Sequence, residues 1–580
     1  MKRDPTSLAD REFDLLVIGG GINGTCVARD AALRGLSVAL IDRGDFVSVT
    51  SSNSLRIIHG GLRYLQHLDF RRMRQSIRER SNWLRLAPHL VHPLSFLAPA
   101  AGRGMRSRAA FRAALAVNDL IGWDRNRGLD PARRIPRGRI LTRGDALQHY
   151  PGADADVITG AALWHDAQMY SSERLVLAVL TGAVEAGAIA VNYIEARRFA
   201  VGGSRIERVG VTDRLAGDAF EIRARVVVNA SGPVINELLA TATGRTTTAA
   251  RVPLSKAMNI LTRRIAGECA VGVAGHHRDP NAAVDHGARL LFITPWRDRS
   301  LIGTTHEAYH GFPGAFRPTC DDVQRFVDEI NVACPSAMLT LDDVAAVYAG
   351  LLPAERSRPG DSDVRLLRHH RLIDHAERDG LDNVISLIGV KFTTARLAAE
   401  QVVALACRKL NRAAPACQSA CTPVVGGDIP SWDDFLIQEQ KRHTGRIEPA
   451  VVHEIARLYG TRYPAVLDHL ESDSGGAITR RRVIAAQVRY AIRHEMAMTL
   501  SDVVCRRTGL SAYGCPSDDE LAYMADVMAC ECDWDGRRAN DEIAATRRVF
   551  VGWRDEPNES GGQSTASVGA PLRPVGAPAS

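Results

Sequence analysis

Phe13-Asp14-Leu15-Leu16-Val17-Ile18 is a short, mostly apolar run that stops at three glycines. A continuous apolar run closed by a glycine turn predicts a strand of a parallel sheet, buried on both faces. The next pattern predicts a helix from about Gly24 to Arg34, ended by Gly35, and then a second strand from Leu36 to Ile41. Strand, helix and strand make a βαβ unit. Residues 53–100 read as mostly helical and basic, with an exit at Pro88 and Pro93, and Asp156 to Ala188 reads as helix again. Arg225 to Ala230 predicts another buried strand. Arg251 to Arg264 and Arg289 to Thr305 are strand-like, the second broken at Arg297-Asp298-Arg299 as a hairpin would be. Val384 to Ile388 predicts a late strand feeding a helix from about Thr394 to Leu410. Long helical patterns dominate from about Trp432. From about Asp555 the chain is rich in Gly, Pro, Ala and Ser, the composition of a disordered tail. No internal repeat is visible.

A length of 580 residues suits two or three packed units. The net charge of +7 is mild for that length, and no zinc, RRM or helix-turn-helix signature accompanies it, which excludes a nucleic-acid partner. The surplus of arginine fits either a compositional bias or a basic surface for an anionic substrate or lipid. Eleven cysteines lack any Cys-x-x-Cys spacing; Cys417 and Cys421, and Cys530 and Cys532, fit neither a disulfide framework nor a metal site. They read as reduced structural thiols of a cytoplasmic protein. Met1 to Glu12 is charged and lacks the apolar core of a signal peptide. No run of about 18 apolar residues predicts a spanning helix.

The first chemistry lies in the turn after the first strand. Gly19-Gly20-Gly21-Ile22-Asn23-Gly24 matches G-x-G-x-x-G. Gly19 permits the tight turn, Gly21 lets the backbone approach a pyrophosphate, and Gly24 lets helix and strand pack closely. The helix that starts here turns its N-terminal N–H groups towards the phosphates. Asp42 ends the second strand 18 residues after Gly24, where a carboxylate accepts from a ribose hydroxyl. Three later features favour FAD over NAD. Ala28, Ala31 and Arg34-Gly35 continue a small-residue helix pattern usual in FAD enzymes. Val228-Asn229-Ala230-Ser231-Gly232-Pro233 resembles their Ala-Thr-Gly element, which points to Ala230 and Gly232 as cofactor contacts. The late strand, Gly389 and the helix after it can aim a positive dipole end at the flavin pyrimidine.

A denser signal follows. Thr50-Ser51-Ser52-Asn53-Ser54-Leu55-Arg56-Ile57-Ile58-His59-Gly60-Gly61-Leu62-Arg63-Tyr64-Leu65 closely resembles the FAD-dependent, respiratory, quinone-linked glycerol-3-phosphate dehydrogenases. Pro295-Trp296, Ile302-Gly303-Thr304-Thr305, Gly389-Val390-Lys391-Phe392-Thr393-Thr394, Arg493-His494-Glu495 and Arg506-Arg507-Thr508 resemble the same family in the same order. The likeness covers about residues 12 to 550. It implies an α/β fold. A Rossmann-like, DAO-type FAD-binding domain would be interleaved with an antiparallel-sheet substrate domain over residues 12–420. A C-terminal α-helical domain over 430–552 and a disordered tail over 553–580 would follow. It also implies Arg63, Arg368 and Lys391 as substrate-facing cations, because arginine's planar fork suits a phosphate. Thr50, Ser51, Ser52, His59, Gly60 and Gly61 would line the flavin, and Gly389, Lys391, Phe392 and Thr393 would also contact the cofactor.

Two positions depart from the family's pattern. Its Ser-Gly-x-Arg-Pro arginine is Leu352 here, and the histidine of its Lys-Gly-Ser-His run is Asn259. An asparagine takes no proton near neutral pH, so His306, after Thr304-Thr305, and Lys391 are the candidate bases. The resemblance implies oxidation of glycerol 3-phosphate to dihydroxyacetone phosphate, with electrons passed to a quinone. The departures keep two alternatives open: another small alcohol or an amine as substrate, and a flavin-binding, redox-responsive protein without turnover. Delivery to a quinone implies peripheral contact with the cytoplasmic face of a membrane, for which basic, partly apolar Arg103 to Trp123 is the candidate surface; a homodimer is also expected.

Overall fold

A computed structural model describes residues 1–102, 104–243, 252–278, 288–355, 364–471 and 477–555. Glu12–Ile18 is central to an eight-stranded sheet. The order is Arg371–Asp374, Val384–Ile388, Ala219–Asn229, Glu12–Ile18, Val38–Ile41 and Ile189–Val191. From Val384–Ile388 to Ile189–Val191 neighbouring strands run parallel. The hairpin Ile194–Gly202 and Arg205–Asp213 continues antiparallel from Ala219–Asn229. Strand alternation divides the first apolar run between two cores. Leu15 and Val17 pack with the helices Ile22–Leu33, Ser172–Glu185 and Ala395–Lys409. Leu16 and Ile18 pack with Ile206, Val209 and Val211 of the hairpin. Both faces are therefore covered, as a run without polar alternation requires.

The second sheet has nine strands, mostly antiparallel. Its order is Val344–Pro353, Leu254–Arg263, Arg299–Tyr309, Ala288–Trp296, Ala270–Arg278, Val91–Ala101, Ile158–Met169 and Ile57–Ile58, with Arg139–Leu141 also on Ile158–Met169. Its strands alternate along the chain with those of the first sheet. The break at Arg297-Asp298 turns one strand into the next, with Arg297 left-handed at φ 58.

Two helical expectations need correction. Within 53–100 only Phe70–Leu86 is α-helical, and Val91–Ala101 is a strand. Pro93 and Pro99 are tolerated there because Ala270–Arg278 pairs only with Phe96 and Leu97, so both prolines sit where that edge is unpaired. Within 156–188, Ile158–Met169 is a strand and the helix is Ser172–Glu185. Ala161, Ala162 and Ala167 are fully buried, and the pairing of this strand with Val91–Ala101 along its length overrides alanine's helix preference.

The C-terminal part is helical, built from Trp432–Arg442, Pro449–Tyr459, Arg480–Glu495, Leu500–Arg506, Asp518–Cys532 and Gly536–Val551 among others. Order extends past the expected tail boundary. Trp553 is 5% exposed in the core of the second sheet, and Arg554 donates to the Leu341 carbonyl. The rest of the expected tail, 556–580, lies outside the described residues. Asp45, just after the second strand, joins this part to the first sheet. Its carboxylate accepts from Arg507 at 2.6 and 2.8 Å and from Arg506 at 2.5 Å, and Asn192 donates to it at 3.0 Å. Burial alone raises the Asp45 carboxyl, but the two guanidiniums outweigh it and hold it at about 2. Its stabilisation is therefore present above the unfolded value near 4 and is lost as pH falls through about 2. Asp45→Asn leaves two buried guanidiniums short of charge and is expected to cost about 3–5 kcal/mol. Urea unfolding at pH 7 reads this as a lower midpoint, and the gap between variant and wild type should close towards pH 2.

Candidate active site

A cavity of about 600 Å³ opens at the C-terminal ends of Glu12–Ile18 and Val384–Ile388, between the two sheets. This is where an open α/β sheet places ligands, and the volume lies within the usual range of about 300–1,000 Å³. One end is the glycine turn. Gly19 sits at φ 114, and a Cβ there would lie 2.5 Å from the Ala230 carbonyl oxygen. Gly21 faces the cavity, its nearest neighbour being Ser51 Oγ. Gly24 is set back from it; a Cβ there would lie 1.8 Å from the Gly19 carbonyl oxygen, so this glycine serves packing alone.

Asp42 reaches the cavity wall while accepting from the N–H groups of Gly20 at 2.7 Å and Gly44 at 2.9 Å. Burial pushes its carboxyl up to about 6 against those two donors. Ser51 lines the cavity and accepts the otherwise unused N–H of Ile22 at the helix start, 3.0 Å. Thr50 donates to the Leu351 carbonyl, tying this loop to the second sheet. Ala230, Gly232 at φ 61, Gly389, Phe392 and Thr393 complete this end. The Thr393 carbonyl is fixed by Trp83 Nε1 at 3.0 Å.

At the other end, His59, Gly61, His306, Arg368 and Lys391 line the same cavity, although the chain separates them widely. Lys391 donates to the Tyr64 hydroxyl, and its Nζ lies 4.1 Å from the centre of the Tyr64 ring. Arg72 stacks on the same ring at 4.3 Å, and His59 packs against it at 5.6 Å. The wall beyond is apolar, with Phe96, Trp164 and Phe292.

Two expected cofactor contacts lie away from the cavity lining. Ser52 Oγ donates to the Val49 carbonyl, which spends its hydroxyl on the loop itself. The Gly60 N–H donates to Asp166 at 2.5 Å, and Asp166 also pairs with Arg80 and accepts from Trp164. Gly60 is thus pinned to the second sheet, and a Cβ would strike the Arg80 guanidinium at 2.6 Å. The Arg63 side chain lies outside the described residues.

Asn259 is 2% exposed and bonded through both ends of its amide: it donates to the Asn53 carbonyl at 3.0 Å and accepts from Thr304 Oγ1 at 2.8 Å. It holds the strand Arg299–Tyr309 to the loop over the cavity. Leu352 lines the cavity with Arg368, so the missing guanidinium is replaced by an apolar wall. Sequence reasoning missed Tyr64 and Asn23. Tyr64 lies within the most distinctive segment, but nothing local signals a partner 327 residues away.

The residues fit FAD. The turn offers a backbone cradle that a Cβ would fill. Asn23 Oδ1 is buried in the cavity wall with no hydrogen-bond partner among the described residues, which suits a ligand donor. A Cβ on Gly389 would lie 1.9 Å from Asn23 Nδ2, so both chain segments approach at that point. No group of three metal-ligating side chains occurs among the described residues.

The model of the FAD dependent oxidoreductases matches residues 14–405, and that of the C-terminal domain of alpha-glycerophosphate oxidase matches residues 417–539. A glycerol-3-phosphate dehydrogenase of Synechocystis is 32% identical, covering 93% of this chain and 97% of the relative. The mitochondrial glycerol-3-phosphate dehydrogenase of Bos taurus is 28% identical over 93% of this chain and 73% of its own length. The solved glycerol-3-phosphate dehydrogenase of Bacillus halodurans, complexed with FAD, shares the fold at a TM-score of 0.72 and 23% identity, covering 94% and 96% of the two chains. This chain is an FAD-dependent oxidoreductase and belongs to the glycerol-3-phosphate dehydrogenase family.

Proposed function

We propose that the chain oxidises glycerol 3-phosphate to dihydroxyacetone phosphate and passes the electrons to a quinone. The observation that carries this reading is the convergence of Arg368, Lys391 and His306 on the cavity that begins at the dinucleotide turn. The relatives named above act on the same substrate by their names. FAD, when bound, supplies the two-electron acceptor for the hydride at C2. Arg368 and Lys391 hold the phosphate dianion and thereby orient C2. His306 takes the proton from the C2 hydroxyl, so that alcohol becomes ketone with one hydride and one proton removed. The aromatic wall of Phe96, Trp164 and Phe292 keeps water from the reacting carbon. The test is anaerobic addition of glycerol 3-phosphate to the purified holoenzyme. Bleaching of the flavin absorbance supports the reading. Bleaching only by unphosphorylated alcohols or amines would favour the alternative that Leu352 motivates, and no bleaching by any of them would leave flavin binding without turnover.

For electron delivery to a quinone we propose that the helix Arg108–Ile121 is the membrane-facing surface. Leu115 on this helix is buried, whereas Leu120 and the nearby Trp123 are 74% and 76% exposed. Phe111, Ala110 and Ala114 of the same helix line the cavity, so its outer side and the flavin site are one helix apart. No helix among the described residues is long and apolar enough to cross a membrane. Leu120→Ser/Trp123→Ser is expected to reduce sedimentation with anionic vesicles by about tenfold, since two exposed apolar side chains contribute roughly 1.5–3 kcal/mol each when fully buried and less in a headgroup layer. Unchanged sedimentation removes this face from the account.

A further inference from the structure

A second cavity, of about 690 Å³, lies outside the flavin site, between the helices Phe70–Leu86 and Ala395–Lys409 and the segments around 124–128 and 417–421. Its lining is dominated by arginine. Three carboxylates also line it, and each is already taken. Glu79 is buried and bound by Arg396 through two bonds of 2.8 and 2.6 Å. Glu400 pairs with the same guanidinium at 2.9 Å. Asp124 is gripped from outside the cavity by Arg74 at 2.5 and 2.7 Å. Arg125, also in the lining, pairs with Asp119 at 3.1 Å.

That leaves Arg78, Arg85 and Arg127. All three line the cavity and are exposed, and none forms a salt bridge among the described residues. Arg85 is held in place by neutral acceptors, donating to Asn82 Oδ1 and to the Ala420 carbonyl, both at 2.9 Å. Arg78 is close enough to add to the pull on Asp124, but the hydrogen bonds of that carboxylate belong to Arg74. Three guanidiniums that share one cleft repel one another, and an ordinary surface would spread them or pair them. Five arginines against three carboxylates leave the lining of this cavity with an excess of two positive charges, which an anion of about two charges would balance. The planar forks match the oxygens of a phosphate better than a point charge would.

We propose that this cavity is a second, non-catalytic site for a phosphate-bearing anion, with Arg78, Arg85 and Arg127 as the recognising groups. The chemistry is that of a phosphate monoester or diphosphate, either free in solution or on a lipid headgroup. The site lies behind the flavin loop. Trp83, on the helix that carries Arg78 and Arg85, holds the Thr393 carbonyl, and Arg396 stands on the helix that follows that loop.

The test uses the holoenzyme and the variant Arg78→Ala/Arg127→Ala, with Arg537→Ala/Arg548→Ala as a charge-matched control at two exposed positions of a helix remote in sequence. Pyrophosphate is titrated by calorimetry at low salt, and sedimentation is measured with phosphatidylglycerol vesicles. Wild type and control are expected to bind pyrophosphate at the substrate site and at a second site, and the double variant is expected to lose the second and to keep its glycerol 3-phosphate turnover. That outcome assigns a soluble ligand. If pyrophosphate binds all three proteins alike, and vesicle binding falls at least tenfold in the double variant but not in the control, the ligand is a lipid headgroup. Equal behaviour of the double variant and the control in both measurements overturns the proposal, as does an equal loss in both. Turnover retained alongside a lost second site separates this result from any failure of the proposed activity.

Discussion

Gly24→Val is expected to give a protein that retains no FAD and unfolds at a lower urea concentration, by about 3 kcal/mol or more. The Cβ alone would lie 1.8 Å from the Gly19 carbonyl oxygen and 3.3 Å from Val17 Cγ1. The obstacle is backbone in the turn, so no side-chain rotation relieves it, and helix and strand must separate. That separation opens the cradle that positions the N–H groups for the pyrophosphate. Gly21→Ala makes the informative contrast. Its Cβ meets only the Ser51 side chain, Oγ at 3.0 Å and Cβ at 3.9 Å. The Gly21→Ala protein should therefore fold with near-normal stability yet hold FAD weakly, because the added methyl occupies the space through which the pyrophosphate approaches. The flavin-to-protein absorbance ratio and a urea melt on both variants check this. Normal flavin content in Gly21→Ala would separate the turn from the cofactor and contradict its assignment.

The first sheet was legible in four parallel strands, Glu12–Ile18, Val38–Ile41, Ala219–Asn229 and Val384–Ile388, which carry continuous apolar runs; Ile189–Val191, the hairpin over 194–213 and Arg371–Asp374 are too short or too mixed with charge to show one. The turn at Gly19 to Gly24, the strand near Val228 and the strand Val384–Ile388 all lie where the pattern puts them. The second sheet was only half legible. Leu254–Arg263 and the hairpin through Arg297 show strand patterns, but Ile158–Met169 does not. Its run of alanine and leucine reads as helix, and only its pairing with the distant Val91–Ala101 makes it extended. Information of that kind is carried by the partner strand and not by the segment itself.

The same limit applies to the candidate site. Gly19, Gly21, Asp42, Ser51, Gly389 and Lys391 could be placed from motif context, and all of them line one cavity. What the motifs could not convey is how polar side chains are spent. Ser52 has the same chemistry as Ser51 and lies next to it, yet one hydroxyl serves the loop and the other serves the helix start. Asn259 reads in the sequence as a lost base. In the structure its amide is a brace between Asn53 and Thr304, and Gly303 beside it has no room for a Cβ, which would lie 1.9 Å from Asn259 Oδ1. A position that differs from the family pattern has thus acquired a structural task. For the proposed activity the candidate bases are then His306 and Lys391, both of which line the cavity.

Lys391→Ala is expected to lower kcat/KM for glycerol 3-phosphate by about 30-fold or more. Truncating one partner of a buried charge-assisted contact costs roughly 2–5 kcal/mol, at about 1.4 kcal/mol per tenfold. The loss should be large because Leu352 adds no charge to the wall it shares with Arg368, and of the other cations in the lining Arg56 is paired with Glu173 and Arg72 is stacked on the Tyr64 ring. The way the loss divides between the two constants identifies the role. If Lys391 holds the phosphate, KM rises while kcat changes little. If it takes the C2 proton, kcat falls with KM nearly constant, and the alkaline or acid limb of the kcat profile is displaced. Lys391→Arg restores much of the first function and none of the second, because a guanidinium stays charged and cannot act as a base. Leu352→Arg in the Lys391→Ala background is the remaining arm. An added cation on the same wall should recover part of the lost KM if the deficit is one of anion binding, and should recover nothing if it is one of proton transfer. Full activity in Lys391→Ala would remove this lysine from the site.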